Sequence, residues 1–579
     1  MNVEEAAELV REGEVVAFIT ETAYALGCDA TNEEAVEKVF ELKGRPKTKK
    51  VPVIVDSLKT IEKYAEITEL ERYLSSHLHP GPLSITVETP FPWIGAWRIS
   101  SSRLANELAR RVGRPVVATS ANRWRMPPSF SPKEVRKYFP EIPVLGKRKL
   151  RRGKMSTIYD ARRGVFIREG AVPRGEVLAY VTAFRALKRI VPDEKKRKKI
   201  MEVAERVMEI ARRYHRDVFL GGSVAKGTFL RDVEDIDIFF LFRAGENLEE
   251  KLEILEKVAE EIGGGYELAY AQHPYVKTRY KGLRVELVPA YRTKPPRIYS
   301  AADRSYWHVR WVKKLPERVR REAMLIKAFL KGIGAYGAEL KVQGFSGYAC
   351  EVLAWRFGSL VKFLKNAEIR ELSDPVDRKR NVIAAVSDET RARVIEAAEA
   401  FLNNPSLKFF FPNKPPVLPE PVRTENKCLV ILEKPEIFED GVWGMLRRYA
   451  NKVERNARAV GFEILRKKIW VSERCYVVFE LKSLEKEKEI MEGPPLKNRK
   501  HVERFLKKHR KTFEMSGRVF AVVESRFKKF GELVKALEDR IKVERVVEGR
   551  EIEGEYRRMG EEDKRELSDF LLGLRPWEY

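Results

Sequence analysis

Two aspartates, Asp235 and Asp237, stand two residues apart in an apolar run that includes Ile236, Ile238, Phe239 and Phe240. Alternate residues of a strand share a face, so this spacing predicts both carboxylates on one side, with Ile236, Ile238 and Phe240 in the core behind them. Two neighbouring carboxylates repel unless a cation compensates them. Divalent cations with oxygen ligands, Mg2+ first among them, meet that need and would also clamp a triphosphate for in-line attack. Upstream, Gly221-Gly222-Ser223-Val224-Ala225-Lys226-Gly227-Thr228 offers glycines that let the backbone approach phosphates, together with a hydroxyl and a cation. It is not a Walker loop, because the Lys expected after the second Gly is absent. A bare pair of aspartates fits a solvent-facing strand edge equally well; the glycine loop, the short spacer and the apolar backing favour the metal reading. A third carboxylate is expected on a neighbouring strand, and Glu286 interrupts the apolar run Arg284–Pro289.

A second set lies near the N-terminus. Polar residues recur where predicted strands and helices end: Thr20-Glu21-Thr22, Lys43-Gly44-Arg45-Pro46, Pro80-Gly81-Pro82-Leu83-Ser84, Thr119-Ser120-Ala121-Asn122, Ser156-Thr157 and Ile167-Arg168-Glu169-Gly170. In an α/β fold such ends converge on pockets for small polar ligands. Two cations closing a helix at Lys43 and Arg45 point to an anion.

The elements that must hold these residues follow from periodicity. Val3–Arg11 and Glu33–Leu42 read as amphipathic helices, and Glu14–Ile19, Val51–Val55, Leu83–Glu88 and Val116–Thr119 as strands, an α/β domain over 1–174. The pattern pauses over 175–187, read as a linker. Pro192-Asp193-Glu194 then starts a long basic helix reaching about Tyr214. Strands at Val218–Leu220 and Ile236–Phe242 frame the glycine loop in an α+β head, 188–316. A helical central domain is expected over 317–421, ending in the Pro-, Asn- and Phe-rich stretch 403–421. An α+β body and tail completes 422–579. The mixed-sign run Lys482–Glu489 reads as a solvated helix face.

At 579 residues the chain holds several domains, and 44% hydrophobic residues suffice for their cores. Lys plus Arg is 112 against 86 Asp plus Glu, a net charge of +26, which calls for a polyanionic partner such as nucleic acid. No apolar run nears the ~20 residues of a membrane helix, and no signal-peptide core is present. Cys28, Cys350, Cys428 and Cys475 form no CxxC pair, which excludes a zinc ribbon and fits a reducing cytoplasm. Abundant Lys, Arg and Glu with few Cys and Met suits a thermophile.

Gly221–Phe240 resembles the nucleotidyltransferase signature of the polymerase-β superfamily. Arg284–Tyr291 (RVELVPAY), Ser300–His308 (SAADRSYWH), Leu325–Glu339, Gly344–Tyr348 (GFSGY), Asp374–Val382 (DPVDRKRNV) and Gly493–Leu496 resemble, in order, the archaeal class I CCA-adding enzymes. The resemblance spans about 183–579. It implies template-independent addition of C, C and A to the tRNA 3′ end from CTP and ATP. Asp235, Asp237 and Glu286 would then hold Mg2+, Glu286 standing where the family commonly has Asp. Ser223, Lys226, His308, Lys327 and Tyr336 would meet triphosphate and sugar, and Arg380 would select the base. Lys226 replaces an Arg of some members and loses its bidentate geometry. Basic Lys500–Lys511 and Arg447-Arg448 would meet tRNA phosphates.

Residues 1–174 resemble the YrdC-like family, which makes threonylcarbamoyl-AMP from threonine, bicarbonate and ATP for the t6A modification of tRNA. The resemblance implies that Lys43, Arg45, Ser120, Asn122, Ser156 and Arg168 line an ATP and threonine site, with Thr22 near the threonine. Three features depart from it: Arg123-Trp124-Arg125 replaces a small turn, Ala25 replaces a glycine, and the strand carrying Arg98 is short. The partners expected are therefore tRNA, CTP, ATP, threonine and bicarbonate, with no membrane and with a homodimer as the possible assembly. Three other readings stand: an N-terminal domain that only binds RNA, a different nucleotidyltransferase such as a poly(A) polymerase, and a tRNA-binding scaffold without activity.

Overall fold

The computed structural model describes residues 1–579 apart from 264, 271, 272 and 538. The chain divides into two compact units, one of residues 1–191 with 356–367 and 396–407, the other of 192–355 with 368–395 and 408–579. Among the described residues no helix is long and apolar enough to cross a membrane.

The N-terminal unit is α/β. The helix Val3–Arg11, capped by Asn2 and Glu5, buries Ala6, Ala7 and Val10. A four-stranded sheet runs Thr119–Ser120, Tyr24–Gly27, Val16–Ile19, Val144–Leu145. A six-stranded sheet runs Val165–Arg168, Thr157–Asp160, Leu83–Thr86, Ile94–Arg98, Val51–Ile54, Val116–Val117. The single strand expected over Val116–Thr119 is thus two, one in each sheet, so Ser120 and Asn122 emerge where the chain crosses between them.

Residues 175–187, expected as a linker, lie inside the helix Arg174–Ile190. Val177, Tyr180, Val181, Ala183, Ala186, Leu187 and Ile190 form its buried face. Tyr180 meets Ser359 at 3.2 Å and Glu176 pairs with Lys365 at 2.6 Å. Segments 356–367 and 396–407, placed by sequence in the helical central domain, therefore belong to the N-terminal unit.

In the second unit the basic helix Glu194–Tyr214, capped by Asp193, packs on the head sheet through Ile200, Val203, Val207 and Ala211. That sheet runs Val218–Leu220, Asp235–Phe242, Leu283–Tyr291, Pro274–Tyr280, Glu267–Tyr270, and only Asp235–Phe242 with Leu283–Tyr291 is parallel. The glycine loop is a five-residue helix, Gly222–Lys226. Helices Glu317–Gly332 and Gly347–Phe357 follow. The body sheet is Ile464–Val471, Cys475–Leu481, Lys427–Leu432, Val543–Glu548, backed by the helix Glu439–Ala459. A three-stranded tail sheet, Lys488–Pro495, Arg518–Glu524, Thr512–Met515, carries the helix Arg499–Lys508, which buries no residue. The run Lys482–Glu489 is not helical. Its end enters the strand Lys488–Pro495, where Lys488 pairs with Glu524, and Glu485 bridges Lys529. Mixed charge there marks a solvated connection that becomes strand only at Lys488 and Glu489, which charge alone does not distinguish from a helix. All four cysteines are buried and free.

Candidate active sites

The parallel pairing of Asp235–Phe242 with Leu283–Tyr291 sets Asp237 opposite Glu286 and Asp235 opposite Arg284. Ile236, Ile238 and Phe240 are fully buried beneath them. Asp235 is drawn aside by Arg284, whose Nε donates to Oδ1 at 2.5 Å. Burial first, and then the charge of Asp235, pushes Asp237 up to about 6. Burial and then Asp237 push Glu286 up to about 7. Gly222, at φ +57°, lies against this pair: a Cβ there would stand 1.7 Å from Asp237 Oδ2. The Gly221 amide donates to the Asp237 carbonyl at 2.8 Å, so the short helix that begins at Gly222 and Ser223 is pinned to the acidic strand.

Two crowded carboxylates held above their ordinary range are the donor set a hard divalent cation takes up. Among the described residues, no group of three His, Cys, Asp or Glu surrounds a metal position, and Asp235 is engaged by Arg284. Asp237 and Glu286, neighbours in register, are the oxygen donors that would hold such an ion, with Asp235 joining them on release from Arg284.

Cations and rings line the approach. Lys226 donates to Glu351 at 2.9 Å, and Thr228 Oγ1 to the other Glu351 oxygen at 2.6 Å. Lys327 donates to the Thr228 carbonyl at 3.3 Å and stands 5.7 Å from the Tyr336 ring centre. Lys226 stands 5.3 Å from the Tyr348 ring. Tyr348 stacks on His308 with centroids 3.5 Å apart. Asp374 binds His308 Nε2 at 3.3 Å, Tyr348 at 2.7 Å and Arg380 at 3.0 Å. Burial lowers the His308 pKa, and Lys226 and Arg380 add to that, while Lys226 and Lys327 act on Asp237. Lys226, His308, Lys327, Tyr336 and Arg380 are therefore brought into one neighbourhood with Asp237. Glu351, Tyr348 and Asp374 were not singled out from sequence. Glu351 had a signal: it is a lone acid among Tyr348, Ala349, Cys350, Val352, Leu353 and Ala354, all buried.

In the N-terminal unit, buried Lys43 donates to the carbonyl of Ser120, to that of Asn122 at 2.7 Å and to Asn122 Oδ1 at 3.3 Å. Burial, then Arg45, pushes its ammonium down to about 7. Arg45 caps the carbonyls of Lys49 at 2.9 Å and Lys50 at 2.6 Å, with its guanidinium 4.9 Å from the Trp124 ring. Arg168 holds Ser156 through its carbonyl and Oγ, both at 2.8 Å, and Ser84 Oγ reaches Ser156 at 3.3 Å. Burial lowers the Arg168 pKa, and Arg98 and Arg45 lower it further, so the three guanidiniums share one field. Arg98 itself pairs with Glu21 at 3.1 Å. Thr22 is buried beside Thr20, their hydroxyls 3.3 Å apart. Trp124, in the Arg123-Trp124-Arg125 turn, lies beneath the Arg45 guanidinium.

Family models match most of the chain. A model of the Sua5, YciO and YrdC proteins, described as telomere recombination, covers residues 8–170. A nucleotidyltransferase domain covers 200–308, the second domain of tRNA nucleotidyltransferase 321–372 and 367–411, and the C-terminal domain of the CCA-adding enzyme 423–559. The CCA-adding enzyme of Archaeoglobus fulgidus is 34% identical over 378 residues, 59% of this chain and 86% of the relative. The chain belongs to the CCA-adding enzyme family. The CCA-adding enzyme of Methanocaldococcus jannaschii is 31% identical over 385 residues, with the same 59% and 86% covered. The solved structure of P. abyssi Sua5 is 32% identical, with 30% of this chain and 58% of that one covered, at a TM-score of 0.29. A YrdC-like domain thus precedes a CCA-adding enzyme with its polymerase-β-type head.

Proposed function

We propose that the chain adds C, C and A to the 3′ end of tRNA from CTP and ATP without a nucleic-acid template. The observation that carries this reading is the register placing Asp237 beside Glu286, with Lys226 and Lys327 acting on the same carboxylate, in a member of the CCA-adding family. Asp235, Asp237 and Glu286 would hold Mg2+, which when bound lowers the pKa of the attacking hydroxyl and offsets charge at phosphorus. Lys226 and Lys327 bind the triphosphate and remain with the departing pyrophosphate. Ser223, His308 and Tyr336 orient phosphate and sugar, and Arg380 meets the base edge. The exposed basic helix Arg499–Lys508 and Arg448 offer cations to the acceptor-arm phosphates, whereas Arg447 is engaged by the carbonyls of Leu340 and Lys341. The test is a labelled tRNA lacking its end, incubated with the full chain, CTP, ATP and Mg2+: addition should stop after three residues. Homopolymer growth would make it another nucleotidyltransferase, and no addition a binding scaffold.

The N-terminal pocket supports a second activity, synthesis of threonylcarbamoyl-AMP from threonine, bicarbonate and ATP for t6A. What favours it is the shared field of Arg45, Arg98 and Arg168 beside the Lys43, Ser120 and Asn122 cluster, a pocket charged for a triphosphate and a carboxylate. Pyrophosphate release that requires both threonine and bicarbonate would establish it. Its absence, with RNA still bound by residues 1–174, would make the domain an RNA-binding module.

A further inference from the structure

One carboxylate ties together three side chains at the nucleotide approach. Asp374 is wholly shielded from solvent. Its Oδ1 accepts from Tyr348 at 2.7 Å and from the Val376 amide at 2.8 Å. Its Oδ2 accepts from Arg380 Nη1 at 3.0 Å and meets His308 Nε2 at 3.3 Å. The donors come from separate elements: His308 from Ser305–Lys313, Tyr348 from Gly347–Phe357, and Arg380 from a turn closed by Asp374 N to Arg380 O at 3.0 Å and Arg380 N to Asp377 O at 2.8 Å. Burial opposes the charge on Asp374, but bonds from His308, Tyr348 and Val376 outweigh it and hold the carboxyl well below its ordinary range. An ionised Asp374 accepts a hydrogen bond from His308 Nε2–H, and this bond together with the Tyr348 stack, inclined by 13°, leaves the imidazole one tautomer and one plane. Arg380 spends one Nη on Asp374 and keeps the rest of its fork for a ligand.

We propose that Asp374 is a positioning residue that locks His308, Tyr348 and Arg380 into one rigid face and thereby sets which nucleotide is accepted, an inference resting on the CCA-adding reading above. Telling C and A from U and G by base edges requires a guanidinium of fixed direction. An Arg380 anchored on a buried anion has one; a guanidinium swinging in solvent meets several edges alike. A purely structural Asp374 would affect folding and rate, not the identity of the added base.

The test uses the full chain, tRNA lacking its CCA end and an equal mixture of four nucleoside triphosphates, with product ends sequenced and KM measured for CTP and ATP separately. Asp374→Asn keeps the shape but sets an amide donor against the donors of Arg380 and His308, or of Tyr348 and Val376. We expect KM to rise ~10-fold or more, the scale of one good bidentate contact, with a comparable rise in wrongly added bases. Affinity for tRNA should stay within about twofold, because phosphate contacts lie elsewhere. Tyr348→Phe keeps the ring stack and removes one bond, so it serves if Asp374→Asn does not fold; it should raise the error fraction about tenfold, in line with one hydrogen bond to a charged group. Wild-type KM and wild-type ends in a folded Asp374→Asn, or in Tyr348→Phe, overturn the inference while the CCA reading stands. A wild-type chain that adds no C or A overturns both.

Discussion

Replacing Asp237 with Asn should stabilise the metal-free head above neutral pH, a sign opposite to that of most substitutions at a catalytic centre. Asp237 is pushed from 3.8 to about 6 and Glu286 from 4.5 to about 7. A carboxyl whose folded pKa is raised holds its proton more tightly folded than unfolded. Its stability contribution is complete below the unfolded value and is lost as pH climbs through the folded one. For Asp237 the window runs from pH 3.8 to about 6, and a rise of about two in pKa is about 3 kcal/mol. The loss for the pair is smaller than the sum, because part of the rise at Glu286 is due to the charge of Asp237 itself. The assay is hydrogen exchange of the amides in Asp235–Phe242, in chelator, at pH 5 and pH 8, each corrected for its intrinsic rate. At pH 8 the Asn variant should be protected up to ~100-fold more than wild type, and at pH 5 the two should approach each other. Mg2+ should raise protection in wild type and much less in the variant. Wild-type protection equal to or above that of the variant at pH 8 in chelator would refute the claim that burial, reinforced by a neighbouring carboxylate, holds these groups in an unfavourable charged state without a cation.

Glu351→Gln removes the counter-charge of buried Lys226, and calorimetric CTP affinity should fall ~10-fold as the ammonium loses its orientation. Arg380→Ala should change which nucleotide is added, read by sequencing product ends, more than whether tRNA binds in a filter assay. Arg45→Ala should abolish threonine- and bicarbonate-dependent pyrophosphate release while leaving CCA addition within about twofold, a difference of less than ~0.5 kcal/mol in barrier. Because Lys43 is pushed down to about 7, its ammonium is present below that pH and lost above it, so threonine- and bicarbonate-dependent pyrophosphate release by the full chain should fall between pH 6 and pH 8.

Helices with strong local signals read true from sequence. Val3–Arg11 and the helix capped by Asp193 are specified by neighbours within four residues, apolar spacing and a capping side chain. The helix Arg174–Ile190 is misread from sequence as a linker: Val177, Tyr180, Val181 and Leu187 recur at helical spacing, but the small residues among them mask the pattern. The segment Lys482–Glu489 failed for another reason. Only its last two residues, Lys488 and Glu489, are in a strand, paired with Glu524 and Val523 some 36 and 34 positions on, which no local rule reports.

The facing of Asp235 and Asp237 was available to sequence because the two-residue period of a strand is a local property, and their apolar backing said which side was the core. The polar ends of the N-terminal strands were visible for the same reason. What those side chains meet was decided by folding alone. Parallel register brings Glu286 beside Asp237 across 49 positions, and the same pairing lets Arg284 take Asp235. Glu351 reaches Lys226 over 125 positions, and Asp374 gathers His308 from 66 positions away and Tyr348 from 26. A buried carboxylate is tolerable only where such distant donors converge on it, so the residues that orient the site could be recognised only after the chain had closed around them.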